Sequence, residues 1–151
     1  MISSSPTPSG LLVIGYGNTL RNDDGVGPQV ADAVSALALP GVRTLNCALL
    51  TPELADPISK AKTVVFVDAA VDAPRKVQLR PLAPAESSQI MAHAADPKTM
   101  LALARDVFGH APKAWWLTIP VADIGIGETL SPLARQGFAA AIEKIKKLTG
   151  G

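Results

Sequence analysis

Two stretches of this chain are apolar without interruption: "LLVIG" at residues 11–15 and "TVVFV" within "TVVFVDAA" at 63–70. A strand with one face in water alternates apolar and polar residues. A continuous apolar run reads instead as a strand covered on both faces. Such strands belong to parallel sheets, whose crossover helices provide the cover. The sequence between and after them supplies helices of the right kind. "VGPQVADAVSALAL" (26–39) places Val26, Val30, Ala33, Val34 and Leu37 at helical spacing. "TPELADPISKA" (51–61) opens with Thr51 as N-cap and Pro52 at the first helical position, and Pro57 keeps that helix short. "DPKTMLALARDVFG" (96–109) starts on Asp96 and Pro97 and stops at Gly109. "SPLARQGFAAAIEKIKKL" (131–148) starts on Ser131 and Pro132 and ends in lysines, which suit a helix C-terminus. Further strands are expected at "VRTLNC" (42–47), at an edge strand "KVQLRPL" (76–82) ending at Pro81, and at "WWLTIPV" (115–121). The fold class that follows is α/β: a three-layer α/β/α sandwich with a mainly parallel, twisted five-stranded sheet. Residues 1–10 read as a flexible lead-in, and residues 11–151 as one domain.

Composition narrows what such a domain can do. The formal net charge of +1 gives no basic field for nucleic acid, and 4% aromatic residues give no base-stacking surface. One cysteine, Cys47, leaves no internal disulfide, which fits a reducing cytoplasm. No apolar run reaches the roughly 18 residues that span a bilayer, so no membrane contact is expected. The opening "MISSSPTPSG" has neither the charged nor the apolar region of a signal peptide.

Open α/β sheets bind ligands outside the carboxyl ends of their strands. Three features fall at that edge: "GYGNTLRNDDGVG" (15–27), the stretch after Cys47, and Asp68. The glycine loop, between a strand and a helix, invites a dinucleotide reading. However, the third glycine position is Leu20, and Asp23 and Asp24 would repel a phosphate at the helix start. Either aspartate could simply cap the helix dipole. Asp68 ends a buried run, where a carboxylate is costly unless it caps a turn, is paired or binds a metal. The two histidines, His93 and His110, each have a packing reading; His93, in the loop before Asp96, is the better placed for a site. Two aspartates and a histidine on separate loops form a mixed oxygen and nitrogen set suited to Zn, Ni, Fe or Mn, although no two of them share a tight ligand spacing. Cys47 has no histidine placed beside it, Ser87 and Ser88 lack a nucleophile elbow, and Trp115 and Trp116 read as packing.

The glycine loop also resembles the N-terminal signature of the hydrogenase maturation proteases, a family of nickel-dependent endopeptidases. The match runs through Gly15, Gly17, Asn18, Leu20, Asp23, Asp24, Gly25 and Gly27. "TPEL" (51–54), "VVFVDAA" (64–70), "HAADPKTMLALA" (93–104) and "GETLSP" (127–132) follow in the family's order. The resemblance implies that Asp24, Asp68 and His93 bind nickel and form the catalytic set, with Gly15, Gly17, Asn18, Asp23 and Gly25 as a supporting loop. It implies an aspartyl-type endopeptidase activity that removes a C-terminal peptide from the nickel-loaded large-subunit precursor of a nickel–iron hydrogenase, and so regulates that enzyme's maturation. The nickel would arrive with the substrate, with Zn or Cd as surrogates. A paralogue that kept the fold without cleaving would act as a chaperone or metal-site sensor.

Overall fold

The two apolar runs become neighbouring central strands. In the computed structural model, which describes residues 7–72, 74–86 and 96–149, β1 (Leu11–Tyr16) pairs in parallel with β3 (Thr63–Ala70), with Leu11 opposite Thr63 and Gly15 opposite Val67. On its other side β1 pairs in parallel with β2 (Val42–Cys47). β3 pairs in parallel with β5 (Lys113–Pro120), and β5 pairs antiparallel with the edge strand β4 (Gln78–Leu82). The sheet order is therefore β2-β1-β3-β5-β4. It is the expected five-stranded sheet, mainly parallel, with its one antiparallel pair at an edge.

Alternate residues of the central strands feed two cores. Leu12, Ile14, Val64 and Phe66 pack under α2 (Ala55–Ser59) and α3 (Pro97–Phe108), which contribute Ile58, Met100 and Leu101. Val13, Val65, Val67, Leu117 and Ile119 pack under α1 (Val26–Ala36) and α4 (Pro132–Thr149), which contribute Val30, Val34 and Ile145. Both faces of β1 and β3 are thus sealed, which is why their sequences do not alternate. At about 25 cal/mol per Å² of apolar area, this two-sided burial is the main favourable term of the fold.

Local chemistry sets the boundaries. At the start of α3 the Asp96 carboxylate accepts from Lys98 N at 2.8 Å, and Gly109 closes the helix in the left-handed conformation at φ 82°. α1 stops three residues before the expected Leu39. Ala38 takes φ 50°, a left-handed turn that ends the helix two residues before Pro40. Thr51 is extended as an N-cap should be, but its side chain makes no cap bond; the segment opens instead as a 3-10 turn over Pro52–Leu54 before α2. β3 runs two residues past Asp68, to Ala70. The end of the expected lead-in is tied down: Ser9 N donates to Lys60 O at 3.1 Å, and Gly10 O accepts from Lys62 N and Thr63 N. Among the described residues, no helix is long and apolar enough to cross a membrane.

Candidate functional site

The chain leaves β1 toward β2 on one side and returns to β3 on the other. The carboxyl ends of β1 and β3 therefore flank a switch point, the place where open sheets hold their ligands. Two glycines let the β1 loop fold tightly there. A Cβ on Gly15 would fall on the Gly27 carbonyl oxygen, so strand and helix start meet backbone to backbone. Gly17 takes φ 147° with its α-carbon against the Asp24 carbonyl. Between them the loop closes on itself: Asn18 N donates to Asp24 Oδ2 at 2.8 Å, and Asn18 Oδ1 accepts from Leu20 N at 2.9 Å.

Asp23 and Asp24 then point to different tasks. Asp23 has no solvent exposure. Its Oδ2 accepts from Ala122 N at 2.9 Å, Asp123 N at 3.0 Å and Ser131 Oγ at 2.6 Å, and its Oδ1 accepts from Ser131 N at 2.7 Å. Burial alone would push this carboxyl up; the four donors outweigh it and hold the carboxyl below its ordinary range. Asp24 is half-buried and accepts from Asn18 only, among the described residues.

Asp68 lies on the α2/α3 face of β3, level with the end of β1. Burial raises its pKa to about 6, aided by the charge of Asp24, while the Tyr16 hydroxyl, the Trp116 indole and the Ala69 amide pull it down. Asp24 and Asp68 therefore sit within electrostatic reach of each other. The Trp116 Nε1 is buried and lacks a well-aligned hydrogen-bond partner, although it lies beside both Tyr16 and Asp68. Burial and the neighbouring Asp68 push the Tyr16 phenol well above its ordinary range, and the Asp96 charge adds to this. The start of α3 thus reaches the same corner.

His93 lies outside the described residues, as do Ser87 and Ser88. Among the described residues no group of three or more His, Cys, Asp and Glu side chains converges as a metal site. Asp24 and Asp68 are two carboxylates within electrostatic reach of each other, one of them poorly solvated, a chemistry that suits a divalent cation. His110 is elsewhere, with its Nε2 3.2 Å from Ala61 O. Cys47 ends β2, where burial raises its thiol pKa. Beside it a groove of about 390 Å³ is lined by Gly17, Asn18, Leu20, Pro28, Asp32 and Asn46. Its floor is braced by the Asn46 amide donating to Asp32.

Tyr16, inside the glycine loop, and Trp116, which reads as packing, were not expected at the site. Tyr16 carries a local signal, since it follows Leu12 and Ile14 at period two and so faces the same side as Phe66 and Asp68. The 121–131 segment, whose "GETLSP" portion follows in the family's order, carries no signal of what it pairs with. It is zipped to the glycine loop by Asn22 N to Gly127 O at 2.7 Å, Gly127 N to Leu20 O at 2.8 Å and Asp23 N to Asp123 O at 2.8 Å. Thr129 N to Asn22 Oδ1 at 3.0 Å and Arg21 Nε to Ile124 O at 2.9 Å complete the seam.

No protein-family model matches the sequence, and no curated protein matches it significantly. Solved structures do match the fold. The hydrogenase maturation protease HycI from Thermococcus kodakarensis aligns with a TM-score of 0.74 at 21% identity, covering 95% of this chain and 94% of its own. HybD from the same organism gives 0.70 at 21%, covering 93% and 99%. The hydrogenase maturating endopeptidase HybD from Escherichia coli gives 0.68 at 19%, covering 90% and 89%. Over nearly its whole length, this chain has the fold of the hydrogenase maturation endopeptidases.

Proposed function

We propose that the chain, acting as a single domain in the cytoplasm, is a hydrogenase maturation endopeptidase. It removes a C-terminal peptide from the nickel-loaded large-subunit precursor of a nickel–iron hydrogenase. The observation that carries this reading is the fold shared with such endopeptidases, with Asp24 and Asp68 within electrostatic reach of each other beside its switch point. His93 is the third ligand in this reading. Asp96, three residues downstream of it in sequence, is close enough for its charge to act on Tyr16.

Nickel carried in the precursor supplies the bridge that fixes the scissile segment against the protein. The chain's own part is to present the two carboxylates to it. Asn18 N–H holds Asp24 in place, and partial burial leaves the Asp68 carboxylate poorly solvated. Tyr16 and Trp116 lie beside Asp68 on the sheet side. The rim suits a protein substrate, since Leu20, Leu49 and Ile126 leave 60%, 69% and 94% of their surface open.

The test is incubation of the purified protein with a large-subunit precursor, with and without nickel, followed by mass measurement of the precursor. Loss of a C-terminal peptide only in the nickel-loaded sample, abolished by Asp24→Ala, is the expected result. Failure to process a nickel-loaded partner, or full activity in Asp24→Ala, overturns it.

A further inference from the structure

We infer that Ser131, at the start of the last helix, is a positioning residue for Asp24. This rests on the assignment of Asp24 to the site. The Ser131 Oγ is shared. It accepts from Ala134 N at 3.2 Å as the N-cap of α4, and it donates to Asp23 Oδ2 at 2.6 Å, while Ser131 N reaches Asp23 Oδ1 at 2.7 Å. Asp23 has no solvent exposure, and its other two donors, Ala122 N and Asp123 N, come from the segment that leads into Ser131. The backbone of the adjacent Asp24 is therefore fixed by a carboxylate whose every partner lies at the other end of the chain.

The link from Asp24 onward is equally short. Residues 22–25 form one 3-10 turn, so a shift of Asp23 carries Asp24 with it. Asp24 is then trimmed by a single bond, from Asn18 N–H to Oδ2. The N-terminus of α4 thus sets where the Asp24 carboxylate stands, though no atom of α4 reaches the site. Outer partners of this kind commonly govern metal affinity while leaving the ligands themselves intact.

The experiment compares Ser131→Ala, Ser131→Thr and a control in the core of the same helix, Ile145→Val or Ile145→Ala, chosen to match Ser131→Ala in melting temperature. One readout needs no metal: amide hydrogen exchange at Asn18, whose N–H is bonded to Asp24. A second is calorimetric affinity for nickel ion. Ser131→Ala should speed Asn18 exchange and weaken nickel binding by about tenfold, the low end for an outer partner of a metal ligand. Ser131→Thr, which keeps the hydroxyl, should restore both, and the core control should change neither. Equal effects in Ser131→Ala and the matched control, or an unchanged Asn18 exchange rate in Ser131→Ala, overturn the inference. If Ser131→Ala does not fold, Asp23→Asn read against the same control decides it on the same criteria. A wild-type protein that binds no nickel but whose Asn18 responds as stated upholds the positioning role and sinks the metal assignment instead.

Discussion

Asp23 and Asp68 stand at the same edge of the sheet and meet opposite environments. Asp23 is sealed from water, yet four donors replace the water it lost, and its carboxyl is held below the ordinary range. Asp68 keeps some exposure, but burial dominates, its donors are few, and a second carboxylate faces it, so its pKa climbs to about 6. Depth of burial is therefore a poor guide to which carboxylate is strained. What separates them is how completely the protein returns the lost hydration. The satisfied carboxylate holds structure, and the unsatisfied one is left with something to bind.

The largest effect should come from the satisfied member. Asp23→Ala strands four donors in a buried seam and should cost about 3 kcal/mol or more in urea unfolding; a loss under about 0.5 kcal/mol would show that the seam holds without it. Asp68→Asn should do the reverse. It should leave stability at neutral pH unchanged or higher, while processing of the nickel-loaded precursor falls by more than about 100-fold, beyond the range for outer partners of a metal ligand. Unfolding measured against processing in that one variant checks the contrast directly.

The two carboxylates should also separate by pH. The folded pKa of Asp68, about 6, lies above its ordinary value of 3.8, so the folded state binds the extra proton between those values. Stability relative to Asp68→Asn should rise as pH falls from about 6 toward 4. Asp23 has its pKa lowered from 3.8, so its contribution is complete above that value and is lost as pH falls through the folded pKa. Urea midpoints of the wild type and both variants, followed from about pH 6 to below 3.8, give the two slopes, and slopes of one sign would break the comparison. The smallest effect belongs to the start of α3, away from the seam. Asp96→Ala removes one cap bond to Lys98 N and should cost about 1 kcal/mol.

The same contrast explains what the sequence made legible. β2 ends where its alternation ends, and α3 runs from Asp96 to Gly109 as its caps announce, because those signals act within a few residues. Both faces of β1 and β3 are sealed, as their unbroken apolar runs require. The five-stranded sheet and its three layers followed from those runs and the helices between them. Asp23 could be read only as a carboxylate at a helix start. Its partners, Ala122, Asp123 and Ser131, lie 99, 100 and 108 positions away, and although Ser131 reads as a helix start, nothing local pairs any of them with Asp23. The environment of Asp68 was hidden for a related reason. Tyr16 and Trp116 reach it only because β1, β3 and β5 stand side by side, an order that sequence periodicity does not encode.

The seam between the glycine loop and residues 122–131 also orders events during synthesis. Chains emerge from the ribosome N-terminus first, at about 5–20 residues per second. Asp24 and Asp68 are thus made early, but the four donors of Asp23 come from residues 122–131, close to the end. Until that last segment has been translated, Asp23 lacks the four donors that hold it, and the loop beside it lacks its seam. A nascent or truncated chain lacking the final helix carries the carboxylates without the frame that aims them. The activity proposed for this chain therefore waits on translation of residues 122–131, long after both carboxylates have been made.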